Sequence, residues 1–272
     1  MVRSGAVIVG LVLACALLSL LWTPFDPLPT DAAARLLGPL TDGHLLGTDP
    51  YGRDVVSLLM YGSRITLLVG LAAVAIALVV GVPAGIGAGM AGGWVDQVVM
   101  RATDVALAFP ALLLVIVFGA AFGAGATTAV LALGIAAAPS FARVARSGTL
   151  QVMAREYVTA ARAANRGPLW IARRHVLPNI GGLLVVQSSV AFSIAVLAEA
   201  ALSYLGFGTR PPTPSWGRML QEGQSHIYDH PLLVLWPGCA IAVTVLGLNL
   251  LGDGLRDRFD PRSRAPEGTA AL

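Results

Sequence analysis

An all-α membrane fold, a polytopic bundle of six transmembrane helices, is what the sequence predicts, and three observations carry the prediction. The chain is 56% hydrophobic and 12% charged, with a mean hydropathy of +0.75, where a soluble domain carries roughly 25% charged residues. Its apolar residues gather into six runs near the length of a bilayer crossing. Its arginines are shared unequally between alternate loops, as in multi-pass proteins. In hydrocarbon each crossing segment must satisfy its own backbone, so every span is helical.

All 18 basic residues are arginine, and lysine is absent. A phosphate-binding Walker loop needs its lysine, so the chain is not an ordinary P-loop ATPase. Schiff-base and lysine general-base chemistry are excluded with it. Cys15 and Cys239 lie inside apolar runs and read as small buried hydrophobes. The net charge of +3 records topology rather than an affinity for nucleic acid.

Residues 1–23 form the first helix, with an apolar run at 6–22 after Arg3. A proline-containing stretch from Trp22 follows where a cleavage site would stand, so the helix is expected to be retained. Residues 24–63 are an extracytoplasmic segment broken by Pro, Gly and Asp, within which 54–61 suits a short interfacial helix. The core, residues 64–255, opens with a second span at 65–90. There Gly81, Pro83, Gly85, Gly87 and Gly89 permit close packing or a kink. A brief turn at 91–101 leads to a third span at 98–121, interrupted by Phe109-Pro110. The fourth span, 127–141, contains Pro139, and the fifth and sixth cover 183–205 and 232–251. Residues 256–272 are a polar tail.

Six spans put both termini on one side. Thirteen of the 18 arginines fall on that side and five on the other, so the positive-inside rule assigns the termini to the cytoplasm.

The long cationic interruption in the middle of the chain, 147–179, is then cytoplasmic. Arg155, Arg162, Arg166, Arg173 and Arg174 crowd it. Residues 149–164 are strong helix formers, with Ala160 and Ala161 giving a smooth surface. Asn165-Arg-Gly167-Pro168 breaks the helix, since Asn and Gly tolerate left-handed backbone and proline suits a first helical turn. A second short helix at 169–175 is expected to stop at Leu177-Pro178. A small-faced helix held off a bundle suits insertion into a groove on another protein.

Glu156-x-x-x-Ala160-Ala161-Arg162, with Ile171 and Leu177-Pro178 beyond, resembles the "EAA" loop of bacterial ABC-importer permeases. This chain has Asn165 where the family has glycine, and Asn is the residue next best able to adopt left-handed backbone. Further motifs resemble the C-type permeases of dipeptide, oligopeptide and nickel importers across roughly residues 44–262. They are Leu46-Gly-Thr-Asp49, Gly52-Arg53-Asp54, Gly92-Gly-Trp94-Val-Asp96, Asp104 with Phe109-Pro110, Ala198-Glu-Ala-x-Leu-Ser203, Pro211-Pro-Thr-Pro-Ser-Trp-Gly217 and Asn249-Leu-Leu-Gly-Asp253. The resemblance implies a type I importer permease in a bacterial cytoplasmic membrane. It also implies a homologous second permease as heterodimer partner, two ATPase subunits or domains that hold the ATP and magnesium, and an external solute-binding protein. This chain itself would bind no cofactor and would not be an enzyme. The coupling residues implied are Glu156, Tyr157, Ala160, Ala161, Arg162, Asn165 and Gly167.

Glu199 is an acid inside a span, where a carboxylate costs about 2.5–3.5 kcal/mol or more. It admits two readings, a pathway group for a peptide amine or a structural hydrogen bond. Asp104, Phe109 and Ser203 join it as candidate pathway residues, although Asp104 is also placed to pair with Arg101 at i, i+3. The kinks at Phe109-Pro110 and Pro139 are either hinges or static. Trp216, with Tyr204, suits an interfacial belt. Trp216, Arg210 and Arg53 are the candidate contacts for the binding protein. His226 and His230 stand at metal-ligand spacing but lack a third ligand beyond Asp229, so no metal site is assigned. The rival classes are a nickel or other small-solute importer, an ion-coupled transporter with Glu199 as proton relay, and an intramembrane enzyme. The last lacks a catalytic dyad.

Overall fold

Glycines spaced four apart along one helix face decide how this bundle closes. The computed structural model describes residues 2–259. In it α2 (Val55–Ala91) lays Gly81, Gly85 and Gly89 against α5 (Ala126–Met153). A Cβ added at Gly81 would lie 2.3 Å from the Ala138 carbonyl oxygen, and one at Gly85 2.2 Å from that of Ala142. Backbone meets backbone along this seam, as small residues permit. Gly134 of α5 in turn faces Ile76, so residue numbers rise together on both helices. The two helices therefore run parallel.

Parallel neighbours need a return between them. Here it is made by α3 (Gly93–Ala108) and α4 (Ala111–Phe122), bent by 83° at Phe109-Pro110. Five helices are individually long and apolar enough to cross a membrane. The parallel run of α2 and α5 requires the bent pair to be the remaining crossing. α1 (Val2–Leu21) lies antiparallel along α10 (Leu232–Phe259), with Gly5 against the Leu251 backbone and Gly254 against Val2. The N-terminus of α1 and the C-terminus of α10 thus share one end of the bundle. α8 (Leu177–Tyr204) packs between α2, α5 and α10, and α9 (Trp216–Gln224) rests on α8 and α10. Leucines and valines such as Leu11, Leu68, Leu71 and Val79 cover the outside, as expected of a surface that faces lipid.

Several boundaries differ from those the sequence predicts. No separate interfacial helix forms at 54–61. Asp54 instead caps α2 by accepting the Ser57 N–H at 2.7 Å, and the span continues from there. The turn predicted at 91–101 shrinks to Gly92 and Gly93, whose φ of +64° and +53° reverse the chain. Polar residues on α5 and α10 are carried helically beyond the apolar runs, to Met153 and Phe259. The predicted tail therefore begins as helix, and residues 260–272 lie outside the described residues.

On the opposite end, residues 24–54 fold around buried polar contacts. Arg53 donates to Asp49 and to Glu222, both at 2.6 Å, and Glu222 also accepts Arg218 at 2.8 Å. Burial opposes the charge on Arg53, but the two carboxylates outweigh it and hold its pKa above the ordinary guanidinium value.

Candidate functional site

At the end shared by the start of α1 and the last turn of α10, α5 stops at Met153 and the chain turns through Ala154 and Arg155 into α6 (Glu156–Ala163). Val158 and Ala161, three apart and so on one face, are the buried positions of α6. They pack with Phe141, Ala145, Val152, Ile171 and Val176. Glu156, Tyr157, Ala160 and Arg162 are exposed. The resemblance implies that Ala160, Ala161 and Arg162 act together in coupling, and the structure divides them. Ala161, 9% exposed, anchors the helix to its own bundle, while Ala160 and Arg162 are presented outward.

The turn after α6 is a Schellman closure. Asn165 has φ +56°, its N–H donates to the Arg162 carbonyl at 2.9 Å, and the Arg166 N–H donates to that of Ala161 at 3.1 Å. Left-handed backbone is thus used at Asn165. Gly167 is extended, with φ −65° and open space where a side chain would project. α7 (Pro168–Ile171) begins on its proline.

The helix does not stop at Leu177-Pro178. A wider π turn, Ala172–Val176, carries α7 directly into α8. Pro178 has no N–H to give to the turn before it, and a widened turn absorbs that loss. Leu177 N–H reaches back to the Ala172 carbonyl, and the Asn179 amide donates to the His175 carbonyl at 2.6 Å. The His175 ring lies 5.3 Å from that of Tyr157 and 5.1 Å from that of Trp170, joining α6 to the helix that follows.

The other candidate residues are dispersed. Asp104 pairs with Arg143 of α5 at 2.6 Å rather than with Arg101, and Asp96 pairs with Arg146 on the same two helices. Glu199 is 1% exposed and accepts the hydroxyls of Ser203 at 2.7 Å and Thr66 at 3.2 Å. Ser203 is equally buried and takes the Thr209 N–H at 3.1 Å. Both acid and serine therefore lie inside the chain rather than on a surface. Phe109 is exposed at the break between α3 and α4.

Trp216 is not an interfacial anchor. It is buried, and its indole N–H donates to the Leu59 carbonyl at 2.9 Å. Arg53 is likewise consumed by Asp49 and Glu222. Of the three candidate contacts for an external protein, Arg210 alone is exposed. His226 and His230 are joined through backbone at 2.7 Å, and among the described residues no three metal-ligating side chains gather. Sequence reasoning missed a cavity of about 150 Å³ between α4, α5 and α8, which Ser140 and Gln187 line. Gln187 inside an apolar run was the available signal.

Among the described residues, five spanning-length helices and one bent pair, with a short helix packed at one end, define an integral-membrane protein. The chain belongs to the family of binding-protein-dependent transport system inner membrane components, which matches residues 81–265. It is 43% identical to the dipeptide transport system permease protein DppC of Escherichia coli K12, over 95% of this chain and 88% of that one. It is 40% identical to the di/tripeptide transport system permease protein DppC of Pseudomonas aeruginosa, over 95% and 87%. It is also 40% identical to the glutathione transport system permease protein GsiD of Pectobacterium atrosepticum, over 84% and 75%. In fold it resembles a chain of the inward-facing MetNI methionine ABC transporter, with a TM-score of 0.62 at 18% identity, covering 75% of this chain and 96% of that one. The protein is a multi-pass component of the inner membrane.

Proposed function

We propose that this chain is one permease subunit of an ATP-driven importer of dipeptides or short oligopeptides. The observation that carries the reading is identity near 40%, sustained over 95% of the chain, to permeases named for di- and tripeptide transport. It forms half of the translocation pathway, and a homologous permease forms the other half. Its thirteen-to-five arginine asymmetry supports a cytoplasmic α6 and cytoplasmic termini. α6 inserts its exposed face into a cleft of an ATPase subunit, and an external binding protein delivers peptide at the opposite end. ATP and magnesium are held by the ATPases, since this chain has no lysine for a phosphate loop. Closure of the ATPases moves α6 and switches the bundle between its inward- and outward-facing states.

The test is uptake of a labelled dipeptide into proteoliposomes holding the whole transporter, with its binding protein and ATP. Uptake that needs all of these components and is competed by other peptides supports the reading. Uptake of nickel with no competition by peptides overturns it.

A further inference from the structure

An open groove of about 760 Å³ lies where α6 and α7 meet the last turns of α2. Pro83, Gly87 and Met90 of α2 form its floor, with Leu169 and Leu177 opposite. Arg162, Arg166 and Arg173 stand on its rim, and among the described residues none of the three is paired with a carboxylate. The Arg166 guanidinium stacks on the half-exposed Trp170 ring at 5.2 Å, a cation–π contact. An aromatic beside arginines at the end of a span is the composition of a membrane interface.

We infer that this groove holds the headgroup and upper acyl chain of an anionic phospholipid from the inner leaflet. The cation cluster selects a phosphate, for which guanidinium is well shaped. An apolar floor suits a ligand that brings hydrocarbon along with its phosphate. The floor continues up α2 through the exposed Val79, Val80, Leu71 and Leu68, a path along which a chain can lie. Basic pockets between helices on the cytoplasmic side are where anionic headgroups are recognised. The lipid would wedge α6 and α7 against α2 and so set the resting position of the coupling element. The inference rests on the cytoplasmic placement of α6, and its failure can be told apart from failure of that reading.

The assay uses the whole transporter in nanodiscs of phosphatidylcholine doped with a photoactivatable phosphatidylglycerol, its diazirine on the acyl chain. Labelling should map to residues 79–91, and Arg166→Gln with Arg173→Gln should reduce it roughly tenfold. Gly87→Phe, which fills the groove without changing charge, should do the same, and Arg101→Gln should not. Equal labelling by a phosphatidylcholine analogue overturns the inference, as does full labelling of the double variant. So does a crosslink from Gly87→Cys to an ATPase or to the second permease, because protein would then cover the groove. A cysteine at position 160 reports separately on docking: if it reaches the ATPase while lipid labelling is absent, only the lipid inference fails.

Discussion

The Glu199 carboxylate of α8 accepts the Thr66 hydroxyl of α2 at 3.2 Å, and its other oxygen takes the Ser203 hydroxyl at 2.7 Å. Through Ser203 and the Thr209 N–H the same network fixes the loop that follows α8. This makes Glu199 a junction between two spans and a loop. Glu199→Leu should therefore destabilise the purified complex by about 1–3 kcal/mol for the buried hydroxyls left unpaired, read as a lower thermal midpoint. Glu199→Gln, which still accepts one of them, should lose less. Peptide affinity of the folded fraction should be unchanged in both, as read by concentration dependence of uptake. A changed affinity in a fully stable Glu199→Gln protein would restore the pathway role.

The seam between α2 and α5 leaves no room for a methyl group at Gly85, where an added Cβ would sit 2.2 Å from the Ala142 carbonyl. Gly85→Leu should cost upwards of about 1–3 kcal/mol in overpacking and cut the yield of assembled protein. Gly87, on the same helix with nothing within 4 Å, should accept leucine without loss of stability. Thermal unfolding of the two variants in detergent compares them directly.

The fold was largely legible because hydrocarbon permits few choices. Apolar run length marked the spans, and arginine asymmetry suggested their sides. What stayed hidden was set by contacts between distant residues. Nothing local says that Trp216 finds the Leu59 carbonyl, or that Asp104 prefers Arg143 to the nearer Arg101. Arg53 looked like a surface cation, since its partner Glu222 lies 169 positions away. In the loop between α6 and α7 the left-handed turn at Asn165 was readable from residue type. The continuous passage through Pro178 was not, because a π turn is a response to packing rather than a propensity.

Arg53 joins the segment before α2 to α9 through Asp49 and Glu222, all three nearly buried. Arg53→Met would strand Asp49 and leave Glu222 with Arg218 alone, a loss of up to about 3–5 kcal/mol, the range for removing one partner of a buried pair. The segment at 24–54 should then become protease-sensitive while the spans stay intact. Because the folded pKa of Arg53 is raised, its contribution is present below the ordinary guanidinium value and is lost only as pH rises past it. Discharge of Arg53 should thus add no pH dependence to the wild-type protein around neutrality. Limited proteolysis across neutral pH tests both statements.

Ala160 and Ala161 are adjacent in sequence but opposite in role. Ala160 is exposed on α6, while Ala161 is buried in the same apolar cluster as Val158, Ile171 and Val176. Ala160→Arg should leave the subunit folded and its spans unchanged, yet block insertion of α6 into an ATPase cleft. The expected result is a stable complex, or stable free subunits, with uptake reduced tenfold or more and ATP hydrolysis no longer stimulated by loaded binding protein. Ala161→Arg should instead push a charge into the apolar cluster and loosen α6 itself, lowering the thermal midpoint before any functional assay is made. Ala161→Gly should be nearly silent in docking, because the face it alters points inward, with a helix-propensity cost of about 1 kcal/mol. If Ala160→Arg transports normally while a cysteine at that position fails to crosslink to the ATPase, α6 is not the coupling helix. The dock must then be sought on another part of the cytoplasmic face.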